Sequence, residues 1–151
     1  MWDKEKDFAK YIMTKLKNEG TDCTRIETGS TTNGMPDLWI QVSDDDYFIE
    51  LKNIHHDLPA ICDIEVASEI IPWRPGQQAW ALRYKAHHKS KCSWTVVGMN
   101  DGVIFIRMEK HFENDLIKYR DPCIFFFKKS TLKTLNFSMF FQLHTYIQEV
   151  K

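Results

Sequence analysis

A predicted β-hairpin between residues 34 and 52 constrains the fold more than any other stretch of the chain. Its two arms, Asp37–Val42 and Tyr47–Lys52, are rich in aromatic and β-branched residues, and a Gly-Met-Pro turn precedes the first arm. The polar residues 43–46 separate the arms and are predicted to form the loop. The pattern therefore indicates two antiparallel strands around a tight acidic connection.

The register of this hairpin predicts which side chains share a face. With a four-residue loop, Asp37 lies opposite Lys52 and Trp39 lies opposite Glu50. Asp37 and Lys52 would then be roughly 5 Å apart at Cβ, and Asp37 and Glu50 roughly 7–8 Å apart on the diagonal. Two carboxylates and an ammonium on one sheet face are costly to bury, but a divalent cation between the carboxylates removes much of that cost.

Length and composition indicate one intracellular domain. A chain of 151 residues with 43% hydrophobic and 27% charged residues is typical of a globular protein with an ordinary core. No apolar run is long enough for a membrane span, and the charged N-terminus does not resemble a signal peptide. The four cysteines lie far apart in the sequence, which favours reduced thiols in a cytoplasmic location.

The charge distribution says more about partners than the net charge of −1 does. Residues 70–100 contain no Asp or Glu, but they contain several basic residues: Arg74, Arg83, Lys85, Lys89 and Lys91. Such a segment suits either a phosphate-binding face or an ordinary solvated helix surface. The charge pattern alone leaves both open.

Two helices are predicted on either side of the hairpin in sequence. Residues 2–19 carry an amphipathic pattern, and Glu5 continues its apolar stripe while Asp7 points elsewhere. Glu5 is therefore either a helix-start charge or a carboxylate aimed into a site. Residues 74–88 form the second predicted helix, on which Gln77 lies one turn before Trp80.

The remaining elements are shorter or less regular. Strands are predicted at residues 23–28, 93–97 and 103–108, helices at 111–119 and 130–148, and a strand or buried connection at 123–127. The aromatic residues of the last helix favour a core or a dimer face over a ligand site. A small polar loop over residues 29–34 suits either phosphate contacts through Ser30, Thr31 and Thr32 or a plain connection.

The arrangement resembles the PD-(D/E)xK nuclease superfamily. Asp37 follows Gly-Met-Pro, Glu50-Leu51-Lys52 lies on the next strand, and the helix and strand order matches the core order of that superfamily. The Gly-Met-Pro-Asp-Leu and Arg-Pro-Gly-Gln-Gln-Ala-Trp segments are similar to the VRR-NUC group of viral, phage and repair nucleases. Archaeal Holliday-junction resolvases share the arrangement. The resemblance covers roughly residues 3–107.

This resemblance implies roles for individual residues. Asp37, Glu50 and the Leu51 carbonyl would hold Mg²⁺ or Mn²⁺, and Glu5 would reach the metal through water. Lys52 would orient the attacking water or contact the scissile phosphate. Gln77, by its spacing from Trp80, is preferred over Gln78 as a residue that positions substrate or water.

We therefore expect an α/β protein with a restriction-endonuclease-like core, namely a helix, a mixed central β-sheet and a helix. Residues 1–107 would form this nuclease core, and residues 108–151 would add a C-terminal helical segment on the same single domain. The expected activity is hydrolysis of branched, flapped or junction DNA by an endonuclease, which could be homodimeric. The DNA contacts would include Ser30, Thr31, Thr32, Arg74, Arg83 and Lys85. Two alternatives are a catalytically silent DNA-binding protein with this fold and an RNA-directed nuclease.

Overall fold

Six β-strands form one mixed sheet in which the strands follow their order along the chain. The computed structural model describes residues 2–26, 36–43, 45–60, 70–71, 92–107 and 124–149. Its strands are β1 Asp22–Arg25, β2 Leu38–Val42, β3 Asp45–Asn53, β4 Cys92–Gly98, β5 Gly102–Arg107 and β6 Ile124–Lys128. The described helices are α1 Glu5–Asn18, α2 Lys129–Leu132 and α3 Phe137–Glu149.

The strand directions divide the sheet into two antiparallel halves. Strands β1, β2 and β3 pair antiparallel, β3 and β4 pair parallel, and β4, β5 and β6 again pair antiparallel. A parallel pair needs a crossover connection, and residues 54–91 supply it. This mixed sheet with flanking helices confirms the predicted α/β fold class.

Helices α1 and α3 cover one face of the sheet. The amphipathic pattern of α1 buries Phe8, Ala9, Ile12 and Leu16 in the main core. The alternating strand residues of this face join them, and the fully buried ones include Leu38, Ile40, Tyr47, Ile49, Trp94 and Phe105. The period-two pattern of β2 and β3 therefore places their apolar residues on the side that the helices cover.

Aromatic rings attach α3 to the sheet. The Phe105 ring centroid lies 5.3 Å from that of Phe137 and 4.8 Å from that of Phe140. The Trp94 centroid lies 5.3 Å from that of Phe141 in an edge-on arrangement. These are favourable tilted and edge-to-face geometries, so the aromatics of the C-terminal segment belong to the core.

A smaller apolar cluster lies on the other face, over β4 and β5. It contains the buried side chains of Val97, Met99, Ile104, Ile106 and Ile71. The loop after β3 docks beside this cluster, because Leu58 N–H donates to Asp101 Oδ1 at 2.7 Å. His55 and His56 are exposed in that loop, in agreement with a solvated connection.

The predicted register of the central hairpin is wrong by two residues. Val42 pairs with Asp45 instead of Tyr47, so the connection has two residues instead of four. Ser43 adopts a left-handed backbone with φ of 56°, which a tight hairpin turn requires. Asp46 lies in β3 opposite Gln41. Its carboxylate accepts hydrogen bonds from the Gln41 amide and the Trp39 indole, at 3.0 and 3.1 Å.

The predicted single helix over residues 130–148 is also interrupted. The short α2 ends at Leu132, and α3 begins at Phe137. Asn136 caps α3, because its Oδ1 accepts from Met139 N–H at 2.9 Å. The Glu19 carboxylate, at the end of α1, accepts from the backbone N–H groups of Phe137 and Ser138, both at 2.9 Å. A side chain from α1 therefore helps to fix where α3 begins.

Several predicted features lie outside the described residues. They are the polar loop over residues 29–34, the helix over residues 74–88 and the helix over residues 111–119. In the part of the chain that is described, no helix is long and apolar enough to cross a membrane.

Candidate active site

Alternation along the central hairpin places a polar set on the face of the sheet opposite to α1. Leu38 pairs with Ile49, and continuing this register by one residue places Asp37 opposite Glu50. Lys52 follows Glu50 by two positions and therefore points to the same side. A slip of two residues keeps every side chain on its face, so these three residues share a face despite the wrong predicted register. The distances are reordered, because Asp37 lies directly across from Glu50 and diagonally from Lys52.

Asp37 is fixed by a hydrogen bond to the opposing strand. Its Oδ2 accepts from the backbone N–H of Leu51 at 2.8 Å, and its own carbonyl accepts from the N–H of Ile26 at 2.8 Å. The side chain is partly buried. Asp37 therefore bridges β1 and β3 at the end of β2, and its carboxylate is held against the strand that carries Glu50 and Lys52.

Pro36 limits the ladder between β2 and β3 at this end of the hairpin. The same register places Pro36 opposite Leu51. A residue in an antiparallel pair points its N–H and C=O toward the same neighbour, so the Leu51 carbonyl points toward β2, as its N–H does. Proline has no N–H and cannot donate to that carbonyl. Pro36 therefore supplies no N–H to the Leu51 carbonyl, while Asp37 binds the Leu51 N–H.

Glu50 and Lys52 form a buried ion pair. Glu50 is 5% exposed and Lys52 is 8% exposed, and Lys52 Nζ lies 3.7 Å from Glu50 Oε1. This separation exceeds that of a short charge-assisted hydrogen bond, so the interaction is chiefly electrostatic. Removing two charged groups from water costs several kcal/mol per ion, which their attraction offsets only in part. The pair is therefore better explained by a role at the site than by stability.

The donors at this position fit a hard divalent cation. Asp37 and Glu50 offer carboxylate oxygens from directly opposed positions, and the Leu51 carbonyl would be a further oxygen ligand. Mg²⁺ prefers oxygen ligands and is commonly held by one or two carboxylates, with water in its remaining positions. Within the described ranges, no three His, Cys, Asp or Glu side chains cluster together. The two carboxylates themselves are donors that suit Mg²⁺ or Mn²⁺.

The N-terminus of α1 lies at the end of the sheet where β3 carries Lys52. Asn53 Nδ2, at the end of β3, donates to the Trp2 carbonyl at 2.8 Å. A Cβ on Gly98, the partner of Asn53 on β4, would lie 2.8 Å from the Phe8 ring, so only glycine permits this close packing. Glu5 begins α1 in this region and is exposed.

Asp7, the other acidic residue in the first turn of α1, lies elsewhere. It lines a cleft of about 570 Å³ between α1 and the α2 region. Lys10, Tyr11 and Lys133 line the same cleft. Both acidic residues are exposed, and Asp7 is the one that lines this cleft.

Two hydroxyl residues on β4 complete the polar face, and the sequence did not reveal them. The parallel register places Thr95 next to Glu50 and Ser93 next to Phe48. Both are buried, and Ser93 Oγ makes no hydrogen bond to any of the described residues. Their sequence signal is weak, because β4 reads as an apolar strand and its parallel pairing joins segments far apart in the chain.

The other predicted site residues lie outside the described residues. These are Gln77, with its alternative Gln78, the loop residues Ser30, Thr31 and Thr32, and the basic residues Arg74, Arg83 and Lys85. The structure thus places Asp37, Glu50 and Lys52 on one face of the sheet, and Glu5 lies at the start of α1.

Cys23, on β1, is a free thiol that is partly buried. Burial raises its pKa to about 11, so the thiol stays protonated near neutral pH. A protonated thiol is a poor nucleophile. Cys23 is therefore not a candidate nucleophile.

Comparison with known proteins identifies the fold. No protein-family model and no curated protein matches the chain. Among solved structures, the chain is similar to Hjc, a Holliday junction resolvase from Archaeoglobus fulgidus, with a TM-score of 0.51 and 12% sequence identity. The match covers 87% of this chain and 95% of the resolvase. This share of the chain is larger than residues 1–107 alone, so the match extends into residues 108–151. The chain therefore has the mixed α/β fold of this resolvase.

Proposed function

We propose that this protein is a metal-dependent nuclease that hydrolyses DNA phosphodiester bonds. The observation that carries the proposal is that Asp37, Glu50 and Lys52 share one face of the sheet, with Asp37 hydrogen-bonded to the Leu51 N–H and Lys52 paired with Glu50. The resolvase-like fold supports it, since the structurally similar protein is a Holliday junction resolvase. The proposal places the chain among PD-(D/E)xK nucleases, in the VRR-NUC group.

Asp37, Glu50 and the Leu51 carbonyl would hold the divalent cation, and Glu5 would contact it through water. When bound, Mg²⁺ or Mn²⁺ lowers the pKa of a coordinated water and neutralises charge on the scissile phosphate. The hydrogen bond from Leu51 N–H holds the Asp37 carboxylate in position before any cation arrives. A preorganised ligand costs little reorganisation when it is used.

Lys52 would orient the attacking water or contact the scissile phosphate. Its ammonium is a compact charge on a flexible stem, so it can reach a substrate phosphate from its position beside Glu50. Gln77 would position substrate or water from the helix predicted over residues 74–88. Its role is a prediction from the resemblance.

The proposed substrate is branched, flapped or junction DNA in replication, recombination or repair. Phosphate contacts would come from Ser30, Thr31, Thr32, Arg74, Arg83 and Lys85. A homodimer would allow two cuts at one junction. Met139 and Leu143, one turn apart on α3, are 66% and 55% exposed and offer an apolar stripe for the second copy.

A cleavage assay tests this proposal. Linear duplex, flapped, four-way-junction and single-stranded DNA, and an RNA of matched sequence, are each incubated with the protein, with Mg²⁺ or with EDTA. We expect Mg²⁺-dependent cleavage that is fastest on the branched DNAs and is lost in Lys52→Ala. Binding of DNA without metal-dependent cutting would indicate a catalytically silent binding protein, and cleavage of matched RNA alone would indicate an RNA-directed nuclease.

A further inference from the structure

The exposed aromatic ring nearest to the candidate active site, among the described residues, belongs to Trp39. Its side chain points to the same face as Asp37, two residues earlier on the same chain, about 7 Å away along the strand. Trp39 is 37% exposed, although a tryptophan carries more apolar surface than most side chains. A large exposed ring beside a polar site suggests that it contacts a ligand.

The structure holds the Trp39 ring in one position. Its Nε1–H donates to Asp46 Oδ1 at 3.1 Å, and the neighbouring Gln41 amide donates to the same oxygen at 3.0 Å. Phe48 lies directly opposite Trp39 on β3 and is partly buried on the same face. The polar atom of the indole is thus satisfied within the protein, and what remains exposed is the aromatic surface.

A fixed aromatic surface of this kind suits a nucleobase. Stacking on an aromatic side chain needs a π-face and tolerates any base, but the base must first be unpaired or splayed from its neighbours. The hydrogen bond from the indole to Asp46 already restricts the Trp39 side chain, so the ring loses less conformational entropy when a base stacks on it. A second copy of the chain is a weaker candidate, because Asp46 lies beside this single ring, whereas the exposed Met139 and Leu143 on α3 offer a second copy an apolar stripe.

We infer that Trp39 is a stacking platform for an unpaired base of the nucleotide next to the scissile phosphate. This inference rests on the proposed nuclease function. It adds the feature of the DNA that is recognised, an unpaired base, and the residue that recognises it. Trp39 lies about 7 Å from Asp37 along the strand, so a base that stacks on the ring would belong to a nucleotide at or beside the cut. The preferred cleavage site is then a position where DNA is single-stranded or frayed, such as a flap base or a branch point.

The test compares Trp39→Ala and Trp39→Phe with the wild type and with Phe126→Ala. Phe126 is a matched control, since it is 39% exposed on the same face but lies on β6, about 19 Å across the sheet from β2. Binding is measured in Ca²⁺ or on the Lys52→Ala background, with a flap DNA and a blunt duplex of equal length. 2-Aminopurine at the base beside the cut reports stacking by its fluorescence, and steady-state kinetics separate KM from kcat.

We expect Trp39→Ala to lower affinity for the flap DNA about 5- to 100-fold, because stacking is typically worth that factor per base. Trp39→Phe should recover most of this loss, and Phe126→Ala should change little. Duplex binding should be affected less than flap binding. The 2-aminopurine quenching seen with the wild type should disappear in Trp39→Ala and return in Trp39→Phe.

Equal flap affinity and equal 2-aminopurine quenching in Trp39→Ala and wild type would overturn the inference. A change of oligomeric state in Trp39→Ala, with DNA binding per subunit unaltered, would also overturn the inference, because the ring would then serve a protein contact. Failure of the wild type to cut any DNA would instead overturn the proposed function. The two failures are therefore distinguishable.

Discussion

Asp37 Oδ2 accepts a hydrogen bond from the backbone N–H of Leu51 at 2.8 Å, where the ladder between β2 and β3 ends. The bond joins a candidate metal ligand to the strand that carries Glu50 and Lys52. Pro36, opposite Leu51, cannot donate to the Leu51 carbonyl. The Pro-Asp pair therefore affects Leu51 in two ways, since Asp37 binds its N–H and Pro36 supplies no N–H to its C=O, which we propose as a cation ligand.

Pro36→Ala tests this explanation of the proline. Alanine supplies an N–H opposite Leu51, which can compete with a cation for the carbonyl. We expect the Mg²⁺ concentration for half-maximal cleavage to rise about 10-fold, a typical effect of losing support for a metal ligand. Pro59→Ala, in the loop after β3, is the control and should leave the Mg²⁺ dependence unchanged. An unaltered Mg²⁺ dependence in Pro36→Ala would contradict the role assigned to the missing N–H.

The buried pair of Glu50 and Lys52 makes a prediction about stability. Lys52→Met keeps the length of the side chain but leaves the Glu50 carboxylate buried without its ammonium at 3.7 Å. We expect a loss of about 3 kcal/mol in EDTA, the usual cost of breaking such a pair, and a fall in Tm of roughly 6–12 °C. Glu50→Gln combined with Lys52→Met should regain most of this loss. Thermal denaturation of the two single variants and the double variant measures the coupling, and simple additivity would argue against a direct interaction.

The contact between Glu19 and the start of α3 predicts a second stability effect. Glu19→Ala removes acceptors for Phe137 N–H, Ser138 N–H and the Ser138 hydroxyl, which lie at 2.9, 2.9 and 2.8 Å. We expect a loss of about 1–2 kcal/mol and faster amide exchange at the start of α3. Lys17→Ala, an exposed change on the same helix, is the comparison. If amide exchange in α3 stayed as slow as in the wild type, Glu19 would not be acting as a cap.

The lowered pKa of His144 leads to a prediction about how the free energy of unfolding depends on pH. Desolvation by burial, and then the Arg107 charge, lower its pKa below the ordinary value, and its ring lies 4.1 Å from that of Phe125. A lowered histidine pKa means that the unfolded chain binds the proton more readily than the folded protein does. Stability from the neutral ring is therefore present above about pH 6.5 and is lost as the pH falls through the histidine range.

Urea denaturation between pH 7.5 and pH 5 measures this effect. His144→Gln removes the titrating group, so its stability should fall less steeply over that range than that of the wild type. His56→Gln, in the exposed loop after β3, should follow the wild-type slope. Parallel curves for His144→Gln and the wild type would show that another group sets the acid sensitivity.

The alternation of residues along the hairpin predicted which side chains share a face of the sheet. The alternation of β2 and β3 placed Asp37, Glu50 and Lys52 on one face, because face depends only on whether the register shifts by an odd or even number. The register itself depended on the turn, and Ser43 gives no strong signal for a left-handed backbone. The distances between the three side chains were therefore predicted in the wrong order.

Contacts between distant segments were beyond local reasoning. Thr95 comes to lie beside Glu50 only through the parallel pairing of β3 and β4, and Glu19 caps α3 across more than one hundred residues. The sequence around residues 130–148 predicted one helix, because its apolar residues continue through the break. Asn136 caps α3 locally, and the Glu19 carboxylate, at the end of α1, accepts from the first N–H groups of α3. The contact with Glu19 lies outside any window of sequence around residues 130–148.

The most direct test of the central claim is the Mg²⁺-dependent cleavage rate of Asp37→Asn on the branched DNA that the wild type cuts best. Asparagine keeps an oxygen that can accept from Leu51 N–H, so the variant should fold and melt near the wild-type temperature. It removes a carboxylate from the metal ligands, and we expect cleavage to fall by about 100-fold or more. Cleavage at the wild-type rate by a folded Asp37→Asn protein would contradict the assignment of this site.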